Sequence, residues 1–205
     1  MNPQVWWYVS RSSGILAWVL LSFSVCWGLF VSTKAVAKAS TPAWILDLHR
    51  FLGGVAVLVT GVHLAGLVAD SYVEFGWVEI LVPFGSEWKP GAVASGVIAF
   101  YLLMAVELTS LAMKRMPRRL WRAVHRSSLV LWLLATVHML QAGTDATNPY
   151  LRVGVVAATN VIAFLTVVLV LANHRKSAAR GGSSKREPAR AAAEPKHERE
   201  SATVG

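Results

Sequence analysis

Five long apolar segments constrain the fold of this sequence more strongly than any other feature. They cover about residues 14–31, 44–68, 91–113, 120–141 and 153–172. A helix of about 20 apolar residues crosses the hydrocarbon core of a bilayer, and a helix closes its own backbone hydrogen bonds in lipid. We therefore predict an all-α integral membrane protein with a bundle of five transmembrane helices, numbered segments one to five along the chain.

The composition agrees with this class of protein. The hydrophobic share is 55%, the charged share is 15%, and nine residues are tryptophan, which is enriched at membrane interfaces. The single cysteine, Cys26, excludes an intramolecular disulfide and cysteine-rich zinc or iron–sulfur sites, which need several thiolates. The net charge of +9 lies mainly in short loops and in the C-terminal tail. We interpret this charge as a determinant of the orientation in the membrane, and we expect no nucleic-acid partner.

Basic residues in the short loops predict the orientation. Lys34 and Lys38 follow segment one, five Lys/Arg residues lie within 114–122, and three more follow segment five. The opposite loops hold most of the acids. Because cytoplasmic loops carry an excess of Lys and Arg, we predict a multi-pass protein of the cell membrane with its N-terminus outside and its C-terminus in the cytoplasm. Segments two and four then both run from the cytoplasmic face outward.

Three other regions are predicted from composition. Segment one, with Ala37-Lys38-Ala39 after it, also resembles a signal peptide, but its length favours a retained helix. Loop 70–90 mixes aromatic residues with acids, and we predict a short amphipathic piece on the outer surface, with a lid over a site as the alternative. From residue 174 no apolar periodicity remains, so we predict a membrane domain over 1–173 and a disordered cytoplasmic tail over 174–205.

Four of the six histidines lie in pairs inside segments two and four. His49 and His63 are 14 residues apart, and His125 and His138 are 13 apart. At about 1.5 Å per residue these spacings are roughly 21 Å and 20 Å, so each segment has one histidine near each membrane face. His49 can therefore meet His125 at the inner level, and His63 can meet His138 at the outer level. Ionisable residues inside a membrane are costly and usually mark function.

Two neutral imidazoles on facing helices, with a gap for a flat macrocycle, form a bis-histidine haem b site. We predict that His49 and His125 are the axial ligands of an inner haem iron, and that His63 and His138 are those of an outer one. Zinc fits less well, because it needs three or four ligands at one point. On an ideal helix, however, 13 residues leave His138 about 140° away from His125. Segment four must then bend, tilt or distort, and a single haem is the alternative.

Neighbouring residues extend the candidate site. Three arginines beside the inner histidines could pair with haem propionates, or could simply anchor the cytoplasmic side: Arg50, Arg122 and Arg126. Three glycines of segment two could leave room for a porphyrin, or could serve close helix packing: Gly53, Gly54 and Gly61. Glu107 lies inside segment three, where we predict an ion pair with an arginine of the inner loop, with proton handling near the inner haem as the alternative.

These motifs resemble the ferric reductase-like transmembrane domain superfamily, which includes ferric reductases, the membrane part of NADPH oxidases and the haem-binding subunit of the bacterial periplasmic methionine sulfoxide reductase. The resemblance rests on SRSSGILAW in segment one, on the HR-x12-H motif of His49 and His63, and on the HR-x11-H motif of His125 and His138. It covers about residues 8–172. Loop 70–90 together with VELTSLAMKRMPRRLWRAVH is similar to stand-alone actinobacterial members.

The resemblance implies two stacked b-type haems that carry electrons from a cytoplasmic flavin to ferric iron, oxygen or a partner protein outside. Only about 30 polar residues follow His174, so we expect no flavin or nicotinamide domain there. The oxidoreductase activity would then depend on a separate flavoprotein, a quinol or a loosely held flavin as electron donor. Two alternatives remain open. One is a quinol-fed haem subunit of a periplasmic reductase, and the other is a non-redox membrane scaffold or transporter.

Overall fold

A computed structural model describes residues 4–33, 43–70 and 75–193. Lys34, Lys38 and the Ala-Lys-Ala sequence considered as a cleavage site lie outside these residues. The described part is helical, with a short 3-10 turn at Met113–Arg115. Its α-helices are α1 (Gln4–Ser32), α2 (Ala43–Ala69), α3 (Trp77–Leu81), α4 (Pro90–Leu111), α5 (Arg118–Arg126), α6 (Ser128–Ala142) and α7 (Pro149–Ala193).

Five stretches of these helices are long and apolar enough to cross a membrane. They are α1, α2, α4, the α5–α6 stretch and α7 as far as Arg175. The predicted all-α fold and the five membrane-crossing segments are therefore confirmed for the described residues, and they indicate a multi-pass membrane protein. The orientation of the termini stays a prediction.

The distortion expected in segment four lies at Ser127, where its helix is interrupted. The Ser127 N–H donates to the carbonyl of Val124, three residues back, at 2.9 Å, and the Ser127 hydroxyl donates to the same carbonyl at 2.6 Å. A bond to the third residue back is the bond of a 3-10 helix, which turns by about 120° per residue instead of about 100°. This overwinding reduces the angular offset between His125 and His138, and it separates α5 from α6.

Four helices form a closed ring around the centre of the molecule. Helix α1 packs along α2 and α4 packs along α6, while α1 also contacts α6 and α2 contacts α4. Buried tryptophans join α1 to α6: the Trp18 indole donates to the Thr136 hydroxyl at 2.9 Å, and the Trp132 indole donates to the Ser22 hydroxyl at 2.9 Å. The two histidine-bearing stretches, α2 and α5–α6, therefore lie diagonally across the ring with α1 and α4 between them.

The outer loop contains the short helix α3, and residues 71–74 lie outside the described part. Phe75 and Ile80 are buried and form an apolar cluster with Val93 and Val97 of α4, whereas Trp77 is 69% exposed. The predicted amphipathic character is thus present, with one side of the loop packed on the bundle and the other side exposed.

The chain divides into two compact units after Leu165. Helix α7 continues beyond the predicted domain boundary at residue 173 and ends at Ala193. The boundary and the disorder expected for 174–205 stay predictions, and 194–205 lie outside the described residues. All contacts of the candidate site lie in the first unit.

Candidate functional site

The four membrane histidines form two pairs. His49 and His125, the inner pair, have ring centroids 5.9 Å apart and ring planes inclined by 77°. His63 and His138, the outer pair, have centroids 6.4 Å apart and planes inclined by 79°. The helices thus bring the histidines together in the combinations expected from their spacing, and the break at Ser127 lies between the two histidines of the second stretch.

Each ring of the outer pair is oriented by a main-chain carbonyl. Nδ1 of His63 lies 2.7 Å from the carbonyl oxygen of Ser10 on α1, and Nδ1 of His138 lies 2.8 Å from that of Ala92 on α4. A carbonyl can only accept a hydrogen bond, so Nδ1 carries the hydrogen in both rings. Nε2 is then the free nitrogen of each ring, and this is the form in which a neutral histidine binds a metal.

Each ring of the inner pair lies beside a serine hydroxyl instead. Nδ1 of His49 is 3.3 Å from the Ser24 hydroxyl on α1, and Nδ1 of His125 is 3.5 Å from the Ser110 hydroxyl on α4. Both hydroxyls can accept from Nδ1 and so support the same tautomer as the carbonyls do. These contacts are longer than those of the outer pair. The ring of Trp121 also stacks on His125, with centroids 5.1 Å apart.

Three glycines on the flanking helices give the histidine rings their space. A Cβ atom added at Gly14 would lie 3.0 Å from Nδ1 of His63, and one at Gly28 would lie 3.1 Å from Cε1 of His49. These glycines were not predicted from the sequence, although a signal was present. Gly14 and Gly28 are 14 residues apart, which equals the spacing of the two histidines that they contact on the neighbouring, antiparallel helix.

The third glycine is Gly96 of α4, where an added Cβ would lie 2.5 Å from Nδ1 of His138. None of the three predicted glycines has a comparable position. Gly54 and Gly61 have open space where a Cβ would stand, and Gly53 lies against the carboxylate of Glu107. Their proposed role in accommodating a porphyrin stays a prediction.

The predicted arginines Arg50, Arg122 and Arg126 are exposed. Arg50 makes an ion pair with Asp47 at 3.6 Å, and both side chains are more than half exposed. Nε of Arg126 donates to the carbonyl of Arg122 at 3.2 Å. The predicted pairing of Glu107 with an arginine of the inner loop does not occur among the described residues, where every ion pair has an aspartate as its acid. The carboxylate of Glu107 lies instead one helical turn from His49, beside Gly53.

A cavity of about 340 Å³ adjoins the outer pair, and cofactor sites occupy roughly 300–1,000 Å³. His63 and His138 line it, together with Phe75, Ile80 and Trp88 of loop 70–90. Residues of the loop thus form part of the cavity wall, and the lid that was the alternative interpretation stays a prediction. The inner pair does not line this cavity.

Two of the residues that line the cavity, Arg11 and Asp145, form an ion pair. Nε and Nη2 of Arg11 on α1 donate to the two carboxylate oxygens of Asp145, in the loop between α6 and α7. These hydrogen bonds lower the pKa of the Asp145 carboxyl group. The Arg11 guanidinium also lies 4.7 Å from the ring centre of Trp7. Arg11 was not a predicted site residue, although it belongs to the SRSSGILAW motif.

The SRSSGILAW motif now has a structural explanation. Its residues supply the carbonyl of Ser10 to His63, the guanidinium of Arg11 to Asp145, and the space at Gly14 for the His63 ring. The indole of Trp18 joins α1 to α6. The motif thus positions one outer histidine and supplies part of the cavity wall.

Comparisons with known proteins identify the family of this chain. The family described as "Ferric reductase like transmembrane component" matches residues 13–136. The matched stretch contains His49, His63 and His125, and it ends two residues before His138. No curated protein and no solved structure matches the chain significantly. Because the match covers more than half of the sequence, the chain belongs to the ferric reductase like transmembrane component family.

Proposed function

We propose that this protein is a transmembrane b-type cytochrome that holds two haems. His49 and His125 are the axial ligands of the inner haem, and His63 and His138 are those of the outer haem. The protein would carry electrons from a donor on the cytoplasmic side to an acceptor outside. Family membership supports the coarser statement that the chain is a membrane redox component, and the geometry of the two histidine pairs supports the finer one.

The single observation that carries the proposal is the ring separation within each pair. Metal–imidazole nitrogen distances of about 2.0 Å would place two axial ring centroids about 6 Å apart. The two observed separations, 5.9 and 6.4 Å, fit this value. Among the described residues no group of three or more His, Cys, Asp or Glu side chains could hold a metal ion, so two-histidine ligation is the coordination that the site offers.

The chain's own residues would hold and orient the ligands. The carbonyls of Ser10 and Ala92 keep Nδ1 of the outer histidines protonated, so that Nε2 can bind iron. Haem iron between two imidazoles supplies one-electron transfer. With both axial positions filled by histidine, the site favours electron transfer over binding of oxygen at the iron.

The direction and the partners of electron transfer are part of the proposal. Arginines at the inner ends of the helices, Arg50, Arg122 and Arg126, would face the cytoplasm under the positive-inside rule. The electron donor would be a separate flavoprotein, a quinol or a loosely held flavin, and the acceptor would be ferric iron, oxygen or a partner protein. The five helices that are long and apolar enough to cross a membrane would place this electron transfer within the lipid bilayer.

A haem count on the purified protein tests the proposal. Protein from haem-replete cells should give a b-type reduced-minus-oxidised spectrum with two haems per chain. His63→Ala and His138→Ala should each remove one haem, whereas His174→Ala, an exposed histidine outside both pairs, should remove none. Absence of a b-type spectrum in the wild-type protein would refute the proposal, and one haem per chain would restrict it to one pair.

A further inference from the structure

Trp121 has a buried indole N–H that no described residue satisfies. Its Nε1 atom is the one buried side-chain nitrogen or oxygen without a hydrogen-bond partner in the part of the chain that the structure describes. Three other tryptophans show the usual behaviour of a buried indole. Trp18, Trp27 and Trp132 each donate to an oxygen at 2.9 Å. Buried polar groups are nearly always hydrogen-bonded, so this donor needs an explanation, and an acceptor that is not part of the chain is one.

Trp121 lies beside a histidine of the inner pair. Trp121 precedes His125 by one helical turn on α5, and the two rings stack with an interplanar angle of 23°. The indole N–H is therefore next to a histidine of the inner pair. Trp121 lies on the predicted cytoplasmic side of His125, away from the outer pair.

The charge around Trp121 favours an anionic acceptor. Trp121 and Arg122 are adjacent, Arg118 precedes them by three and four residues, and His125 follows them by four and three, so all four lie toward one face of α5. Neither arginine makes an ion pair in the described part of the chain, and both are exposed. This face therefore combines two guanidinium groups, a neutral N–H donor and a metal-binding imidazole. A carboxylate that approaches beside the His125 ring would accept from all three donors.

We propose that Trp121, with Arg118 and Arg122, binds a propionate carboxylate of the inner haem. This inference rests on the proposed haem function and assigns one chemical group of the cofactor to one set of side chains. Trp121 would donate its Nε1–H to a carboxylate oxygen, while the arginines balance the negative charge at the membrane edge. The indole ring of Trp121 would at the same time limit the rotation of the His125 imidazole.

The test measures how firmly the inner haem is held. In a His138→Ala background the remaining haem is the inner one. An excess of a soluble haem-binding apoprotein captures this haem when it leaves, so the rate of transfer gives the rate of haem dissociation. Trp121→Phe keeps an aromatic ring on His125 but removes the donor. A hydrogen bond to a charged acceptor contributes enough that transfer should become about 10- to 100-fold faster. Trp121→Tyr, which restores a donor, should recover part of this loss.

Trp44→Phe is the matched control, because Trp44 lies near the same end of the bundle on α2 and is 59% exposed. It should leave the transfer rate unchanged. If Trp121→Phe transfers haem as slowly as Trp44→Phe does, the inference is refuted, and a bound water would then be the partner of the indole. If the wild-type protein contains no haem at all, the proposed function fails instead.

Two further measurements distinguish propionate binding from a folding defect and from binding of a lipid phosphate. In the wild-type background, Trp121→Phe should keep the outer haem, which demonstrates that the variant folds. If it loses both haems, Arg118→Gln and Arg122→Gln replace it, and unchanged transfer in both would refute the inference. A lipid phosphate as the acceptor predicts that Trp121→Phe lowers the thermal stability of haem-free protein only in vesicles with anionic lipid, and that result would also overturn the propionate assignment.

Discussion

The glycine at position 96 allows the most direct test of how the outer pair is built. A Cβ atom introduced by Gly96→Ala would lie 2.5 Å from Nδ1 and 2.6 Å from Cε1 of His138, whereas ordinary contacts are 3.4–4 Å. The imidazole must therefore move back by about 1 Å, a displacement that forfeits a large part of its close packing. This movement also pulls Nδ1 away from the carbonyl of Ala92, from which it is now 2.8 Å distant.

The expected free-energy change follows from three contributions. Overfilling a packed site costs about 1–3 kcal/mol, and losing the hydrogen bond to Ala92 costs about 0.5–1.5 kcal/mol. Alanine stabilises a helix by about 1 kcal/mol relative to glycine. We expect Gly96→Ala to destabilise the site by about 0.5–3.5 kcal/mol in net terms. In haem affinity this corresponds to a loss of roughly 2- to 400-fold at the outer site.

The assay compares Gly96→Ala with Gly154→Ala in the same detergent. An added Cβ at Gly154, on α7, has no neighbour within 4 Å among the described residues, so this control carries the same chemical change without the contact. Gly96→Ala should lower both the haem content and the midpoint of thermal unfolding, and Gly154→Ala should lower neither. Equal haem content and equal unfolding midpoints for the two variants would contradict the reasoning that the glycine creates space for His138.

Three further predictions concern other contacts of the bundle. Asp145→Asn removes the ion pair with Arg11. Because that pair lowers the pKa of Asp145, its stabilisation is present at neutral pH and is lost as the pH falls below about 4. Thermal unfolding against pH should therefore show an acid-induced decrease in the wild type that is smaller in Asp145→Asn. The Cβ atom introduced by Gly53→Ala should clash with the carboxylate of Glu107. Glu107→Ala removes that carboxylate, so the double variant should be more stable than the two single changes added together predict. The coupling free energy should be about 0.5–3 kcal/mol. Trp18→Phe removes a buried donor to α6 and should cost about 1–3 kcal/mol in the free energy of unfolding; an unchanged unfolding midpoint would contradict this.

The local sequence was sufficient to predict the helices and the histidine levels. Hydropathy over about 20 residues is a property of each segment alone, because the bilayer thickness sets the required length. The rise per residue likewise converts the 14-residue spacing of His49 and His63 into a depth. Both quantities are read along one helix and do not depend on its neighbours.

The contacts between helices could not be predicted in the same way. Arg11 and Asp145 are 134 residues apart in the chain, and no local pattern connects them. The break at Ser127 was expected only as some distortion of segment four, since several local geometries could bring His138 toward His63. The arginines and glycines beside the histidines in sequence were predicted to complete the site. The structure instead brings the carbonyl of Ser10 and the glycine at position 14 to His63 from a different helix.

An all-helical membrane protein follows from the amino-acid sequence, and so do the two levels at which the histidines lie. The tertiary structure was needed to see that α1 and α4 flank the histidine-bearing helices. It was also needed to see that main-chain carbonyls orient the outer pair, that hydroxyls lie beside the inner pair, and that the indole N–H of Trp121 has no partner among the described residues. Transfer into lipid depends on the composition of a single segment, whereas side-chain contacts depend on how helices rotate against one another. That rotation is set by packing and by interhelical hydrogen bonds from residues far apart in the chain.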